Sequence, residues 1–142
     1  MRFELQSQLI ADTVVLGKFP LSLVLLSKDA NYPWCILVPQ REDVRDLHEL
    51  DRVDRVSLIE ESCILSEAME ALFNPDKMNV AALGNVVPQL HIHHIARFQD
   101  DPAWPQPIWG AKAARKYSSQ GIYERVETLR QQLMGMSDFK VA

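Results

Sequence analysis

The strongest helical period in the chain runs from Asp51 to Asn74, with three β-rich runs ahead of it and two behind. Val56, Ile59, Cys63 and Met69 recur at helical spacing, Asp51 is placed to cap the start, and Asn74-Pro75 stops the helix. Thr13–Lys18 and Leu21–Ser27 are β-rich runs parted by Phe19-Pro20, which predicts a hairpin. A polar link, Lys28–Pro33, leads into the continuous apolar strand Trp34–Val38, closed by Pro39. Such short links favour antiparallel pairing, because a parallel crossover needs about a dozen residues or more. Met78–Leu83, turned at Gly84-Asn85, and Leu90–Phe98 complete five strands. The pattern is α+β: an antiparallel sheet with one dominant helix laid across it.

Shorter helices are predicted at both ends. Leu5 and Leu9 share a face within Phe3–Ala11, and Ile122, Val126, Leu129 and Leu133 line a C-terminal helix that Gly135 ends. Met136–Ala142 is expected to fray. A length of 142 residues allows one domain with a real core. Its expected extent is 1–110, followed by a helical extension over 111–142.

Charge narrows the partners. Fifteen Lys+Arg against 19 Asp+Glu give −4, without the basic face that nucleic-acid backbones or anionic membranes require. A small anionic substrate stays compatible with it, since a few local donors suffice. Two cysteines, Cys35 and Cys63, cannot build a disulfide framework, and their apolar neighbours predict core packing. Glu4, Gln6 and Gln8 break up any leader-like apolar region, and Gly17, Lys18 and Pro20 interrupt the most apolar early stretch. A cytoplasmic setting is expected.

The chemistry concentrates in Gln89-Leu90-His91-Ile92-His93-His94-Ile95-Ala96-Arg97. Alternation along a strand puts Gln89, His91 and His93 on one face and Leu90, Ile92 and His94 on the other. Two imidazoles and an amide then form a polar ridge on a strand with a buried back. As packing residues they would need partners for four ring nitrogens, which is costly in a core.

The run Gly84-Asn85-Val86-Val87-Pro88-Gln89-Leu90-His91-Ile92-His93-His94-Ile95-Ala96-Arg97 resembles the signature of the histidine triad (HIT) family. Ile36-Leu37-Val38-Pro39-Gln40-Arg41 resembles the family's strand ending in a Val-Pro-basic corner, and Asp101-Pro102-Ala103-Trp104-Pro105 a Trp-Pro tail found in some branches. The resemblance covers about Leu21 to Gly110. It implies the HIT-like fold, a five-stranded antiparallel sheet with one long helix packed on it. It also implies hydrolysis of a nucleotide polyphosphate, phosphoramidate or related ester through a covalent nucleotidyl-histidine. A catalytically weak or inactive nucleotide-binding module, or a nucleotidyltransferase, is the alternative.

Residue by residue, the resemblance places the nucleophile on His91, whose second ring nitrogen should donate to a backbone carbonyl. It places a phosphoryl or leaving-group contact on His93, and the first triad position on Gln89, which can donate but cannot carry a proton. Asn85 and, less directly, Asn79 are candidate phosphate donors, either of which could instead serve a local turn. Arg97 is either a solvated strand-end charge or a substrate contact, Ser27 a candidate ribose contact, and His94 a partly buried packing residue. Trp104 and Trp109 lie in a Pro-rich loop expected near the site or an interface. No cofactor is required and no metal ligand is assigned; a zinc ion would need His48 beside His91 and His93, which the sequence does not bring about. Relatives of this kind are commonly homodimers, so a homodimer is expected.

Overall fold

The Phe19-Pro20 corner turns β1 (Thr13–Lys18) back against β2 (Ser22–Ser27), and the polar link returns the chain as β3 (Trp34–Pro39). The computed structural model describes residues 2–141. A short helix, α1 (Ser7–Asp12), precedes β1, and a 3₁₀ turn at Leu47–Glu49 leads into α2 (Arg52–Phe73). The chain then forms β4 (Lys77–Ala82), β5 (Ile92–Arg97) and α3 (Ser119–Met136). The sheet is ordered β1-β2-β3-β5-β4 and antiparallel at every pairing. This is the α+β architecture read from the sequence. No helix among the described residues is long and apolar enough to cross a membrane.

Helix α2 begins and ends where its signals lie. Asp51 accepts the Asp54 N–H at 2.8 Å, and Asn74 terminates the helix in the left-handed region at φ 47°. Its inward face is a correction to the sequence reading. Leu58, Leu65, Ala68 and Met69 are buried against the sheet, with Glu61 and Ser62 between them. Val53, Val56, Ile59 and Cys63 form an exposed stripe instead. The helix carries two apolar stripes of the same period, and the polar pair Glu61 and Ser62 disguises the inner one. Cys63 is therefore a surface thiol, whereas Cys35 is fully buried on β3.

Both faces of the sheet are covered. Val24, Leu26, Leu37, Ile92 and Ala96 meet α2 and, through Val126, Leu129 and Leu133, α3. The C-terminal helix thus completes the central core and does not stand apart as an extension. The other face holds two smaller clusters, one around Leu9, Leu25, Ile36, Val38 and Val87, the other around Tyr32, Ile95, Ala103 and Ile108.

Two end segments depart from expectation. Helix α1 starts at Ser7, and Phe3 and Leu5 precede it, packed on the Leu9 cluster. The segment after α3 is held, not frayed, through Lys140, while residue 142 lies outside the described residues: Phe139 is buried against Phe19, and Lys140 pairs in both directions with Lys18 at 2.8 and 2.9 Å. Gly17 makes room for it, because a Cβ there would strike the Lys140 carbonyl and the Phe139 ring. Beside this pairing, Arg130 donates to the carbonyls of Leu16 and Val15 at 2.9 and 3.1 Å.

Candidate functional site

On the face of the sheet away from α2 lies a cavity of about 420 Å³, whose walls come from α1, β2, β3, the turn after β4 and the entry to β5. His91, His93, Asn85, Ser27, Trp34 and Trp109 line it, with Gln8, Leu9 and Asp12 supplied by α1. Strand β5 is shorter than predicted, so His91 sits just before its first residue and His93 within it. The two imidazole centroids are 4.9 Å apart at 76°.

Each ring has its protons fixed by its neighbours. His91 Nδ1 lies 2.7 Å from the Gln89 carbonyl, an acceptor only, so Nδ1 carries the proton. Its Nε2 keeps a lone pair with no hydrogen-bond partner among the described residues. His93 is set the opposite way. Trp34 Nε1 donates to His93 Nδ1 at 3.0 Å, and an indole N–H can only donate, so the neutral ring is protonated on Nε2. Burial, aided by His91 and His94, pushes the His93 pKa down to about 3. Trp109 stacks edge-on to His93 at 5.0 Å and to Trp34 at 6.3 Å. One nitrogen therefore offers an electron pair while the next offers a hydrogen bond.

The turn before His91 depends on Gly84, whose φ of 127° disfavours a side chain. A Cβ there would press on the Val87 carbonyl at 3.0 Å and reach His91 at 3.9 Å. Asn85 follows at the cavity wall, its side chain without a hydrogen bond among the described residues. A free amide beside a free imidazole nitrogen suits a phosphoryl oxygen.

Four residues singled out in the sequence sit elsewhere. Gln89 does not line the cavity. Its Oε1 accepts the Gln6 N–H at 2.9 Å and its Nε2 donates to the Glu4 carbonyl at 2.8 Å. Asn79 is also outside, its Oδ1 accepting from Arg97 at 2.7 Å. Arg97 is not a solvated charge and does not line the cavity. It is 2 % exposed, ion-paired with Asp101 at 2.7 Å, bonded to the Gln106 carbonyl and flanked by the Tyr32 and Trp104 rings. Asp101 gains from this: burial alone would raise its pKa, but Arg97 and the N–H groups of Phe98, Ala103 and Trp104 outweigh that and bring it to about 2. The Arg97 knot anchors the loop that delivers Trp109 to the site. His48 is exposed on the 3₁₀ turn, and among the described residues no three His, Cys, Asp or Glu side chains come together as metal ligands.

His94 is fully buried on the opposite face. Its Nε2 meets the Ser62 hydroxyl at 2.7 Å and its Nδ1 the Ile92 carbonyl at 3.0 Å, and burial lowers its pKa to about 4. An unfolded histidine titrates near 6.5. Between there and about 4 the unfolded chain holds more protons than the folded one, so stability falls as pH drops. Urea midpoints are expected to decline steadily below about pH 6.5, with roughly two protons taken up on unfolding near pH 5. A flat profile from pH 7 to 4.5 would show that these rings protonate without penalty.

The HIT domain profile matches residues 8–100, which includes the whole sheet and α2. The chain belongs to the HIT family. Members of this family are generally nucleotide hydrolases and transferases. A histidine triad protein of Marinobacter aquaeolei is 45% identical, with a TM-score of 0.92 over 96% of this chain and 100% of its own. One from Bradyrhizobium japonicum is 42% identical, with a TM-score of 0.92 over 94% of this chain and 99% of its own. A third, from Sinorhizobium meliloti, is 35% identical at a TM-score of 0.86, covering 94% and 96%. Among curated proteins none matches the chain. The HIT fold read from the sequence is thus the fold of this chain. What the signature could not reveal is the Trp34–His93 bond, since nothing in either segment marks a pairing 59 residues apart.

Proposed function

We propose that this HIT protein releases a nucleoside monophosphate from an activated ester or anhydride through a nucleotidyl-His91 intermediate, with Gln89 standing at the first triad position. The carrying observation is the free Nε2 of His91, held in its reactive tautomer by the Gln89 carbonyl at 2.7 Å. The Nε2 lone pair forms the N–P bond as the bond from phosphorus to the leaving group breaks, and the electron pair departs with the leaving group. Asn85 and His93 Nε2–H hydrogen-bond the phosphoryl oxygens as charge shifts onto them. Water then cleaves the N–P bond, giving its proton to solvent and returning neutral His91.

This arrangement favours leaving groups that need no proton. His93 is neutral, its Nδ1 held by a donor, and losing the Nε2 proton would leave an imidazolate. Gln89 carries no ionisable proton at all. Phosphate and pyrophosphate leaving groups therefore suit the site better than alkoxides or amines. A series of adenylates with leaving groups of rising pKa should show rates falling steeply. Trp34→Phe removes the indole donor, frees His93 Nδ1 to take up a proton, and should flatten that dependence by about tenfold at the poor-leaving-group end. An equally steep series in the variant would disconnect Trp34 from the chemistry.

The same reading includes a homodimer. The exposed stripe Val53, Val56, Ile59 and Cys63 on α2 and Val80 on the outer strand β4 provide apolar surface that a second copy would cover. Light scattering is expected to return about twice 16.2 kDa, and Ile59→Asp to shift it toward the monomer. A monomer mass for the unsubstituted chain at all concentrations would refute this.

A further inference from the structure

Gln89 holds the nucleophile with one group and the N-terminal segment with another. Its carbonyl orients His91, while its side-chain amide spans 83 and 85 residues of sequence to Gln6 and Glu4. The held segment is not idle. Gln6 Oε1 caps α1 by accepting the N–H groups of Gln8 and Leu9 at 2.6 and 3.3 Å. Six residues are too few for a helix to persist alone, so the start of α1 depends on this anchor and on the buried Leu9, while its end is held by Lys28, whose N–H and Nζ donate to the carbonyls of Asp12 and Ala11 at 3.0 Å each. What α1 delivers is the part of the cavity wall made by Gln8, Leu9 and Asp12.

Asp12 is the acidic residue in that wall. Its Oδ2 accepts from Gln8 Nε2 at 2.9 Å, and its Oδ1 has no partner among the described residues. Around it the cavity is largely apolar, with Leu9, Ile36, Val87 and Trp109. A carboxylate repels phosphate, so the anionic end of a nucleotide belongs at Asn85 and His91, and Asp12 is left to meet the uncharged end. An open carboxylate acceptor in an apolar wall is complementary to adjacent hydroxyl donors, and two neighbouring hydroxyls are what a ribose presents.

We infer that Gln89 is a positioning residue that clamps α1 onto the site so that Asp12 reads the 2′,3′-diol of a ribonucleotide. The inference rests on the nucleotide reading above. It gives the first triad position an architectural task, substrate selection, in place of proton transfer.

The test uses the full chain and two readouts. Binding of AMP and 2′-deoxy-AMP is followed by Trp fluorescence, and α1 amide exchange is followed without ligand. The unsubstituted protein is expected to prefer AMP by about tenfold, a difference of about 1.4 kcal/mol. Asp12→Ala should erase that preference by weakening AMP alone. Gln89→Ala should erase it too, raise KM with kcat changed by less than about threefold, and speed exchange at Gln8, Leu9 and Ile10. Combining the two substitutions should add little further loss, because they remove one interaction. Gln89→Glu, which keeps the acceptor for the Gln6 N–H but loses the donor to Glu4, should fall between.

Unchanged α1 exchange in Gln89→Ala overturns the clamp, with or without nucleotide binding. A fall in kcat at constant AMP preference overturns it as well, and returns Gln89 to the chemical step. If AMP and 2′-deoxy-AMP bind equally to the unsubstituted protein, Asp12 does not read the diol. Failure of both to bind, with α1 exchange altered as expected, refutes the nucleotide reading and the diol assignment while the clamp stands.

Discussion

Replacing His91 with alanine is expected to lower turnover by about four orders of magnitude or more, the scale seen when a covalent nucleophile is deleted. The lost step is N–P bond formation, for which no other free ring nitrogen among the described residues faces the cavity: His93 is committed to Trp34 at one nitrogen and protonated at the other. Nucleotide affinity should change by less than about threefold, because Asn85, His93 and the apolar walls remain. A single-turnover reaction with an adenylate bearing a good leaving group should give a mass increase of one nucleotidyl group in the unsubstituted chain and none in the variant. Equal turnover in both would remove the hydrolase reading and leave a nucleotide-binding module.

The second large effect is on stability. Asp101→Ala would strand the Arg97 guanidinium, 2 % exposed, and orphan the N–H groups of Phe98, Ala103 and Trp104 at once. Breaking a buried pair from one side costs about 3–5 kcal/mol. That is a large share of the about 5–15 kcal/mol by which domains of this kind are stable. Tm should fall by about 10 °C, and Trp109 should lose its fixed place beside His93. Removing both charges together, as Arg97→Leu with Asp101→Leu, should recover much of the loss, since an apolar pair leaves no uncompensated charge. An Asp101→Ala protein with unchanged Tm would mean that the knot contributes nothing to stability.

How far the sequence could be read depended on the range of the interaction. Strand alternation, the Asp51 cap, the Asn74 stop and the Gly84 turn are local, and each lies where its residues place it. The inner face of α2 was obscured because Val56, Ile59 and Cys63 obey the same period as Leu58, Leu65 and Met69, and helical spacing alone cannot choose between them. That Gln89 and Asn79 do not line the cavity is hidden for another reason. Both are polar residues close in sequence to the site, and only the fold shows that Gln6 and Arg97 already occupy their hydrogen-bonding groups. Asp12 carries no local signal, because α1 reaches the cavity from a segment about 80 residues before the histidines. His91 and His93 were legible because alternation and the signature pointed to the same wall, and both do line the cavity.

The two rims of the sheet differ in kind. Along β1, Arg130 occupies the carbonyls of Val15 and Leu16, and Lys140 uses both main-chain groups of Lys18. Along β4 the outer main-chain groups face no other strand among the described residues. Strand addition therefore has a valence of one. A unit with a single sticky rim can join one neighbour rim to rim and then has nothing left to offer, so growth through the sheet halts at two and cannot run on into a ribbon. That asymmetry rests on one arginine and on Lys140, which close β1 and leave β4 open.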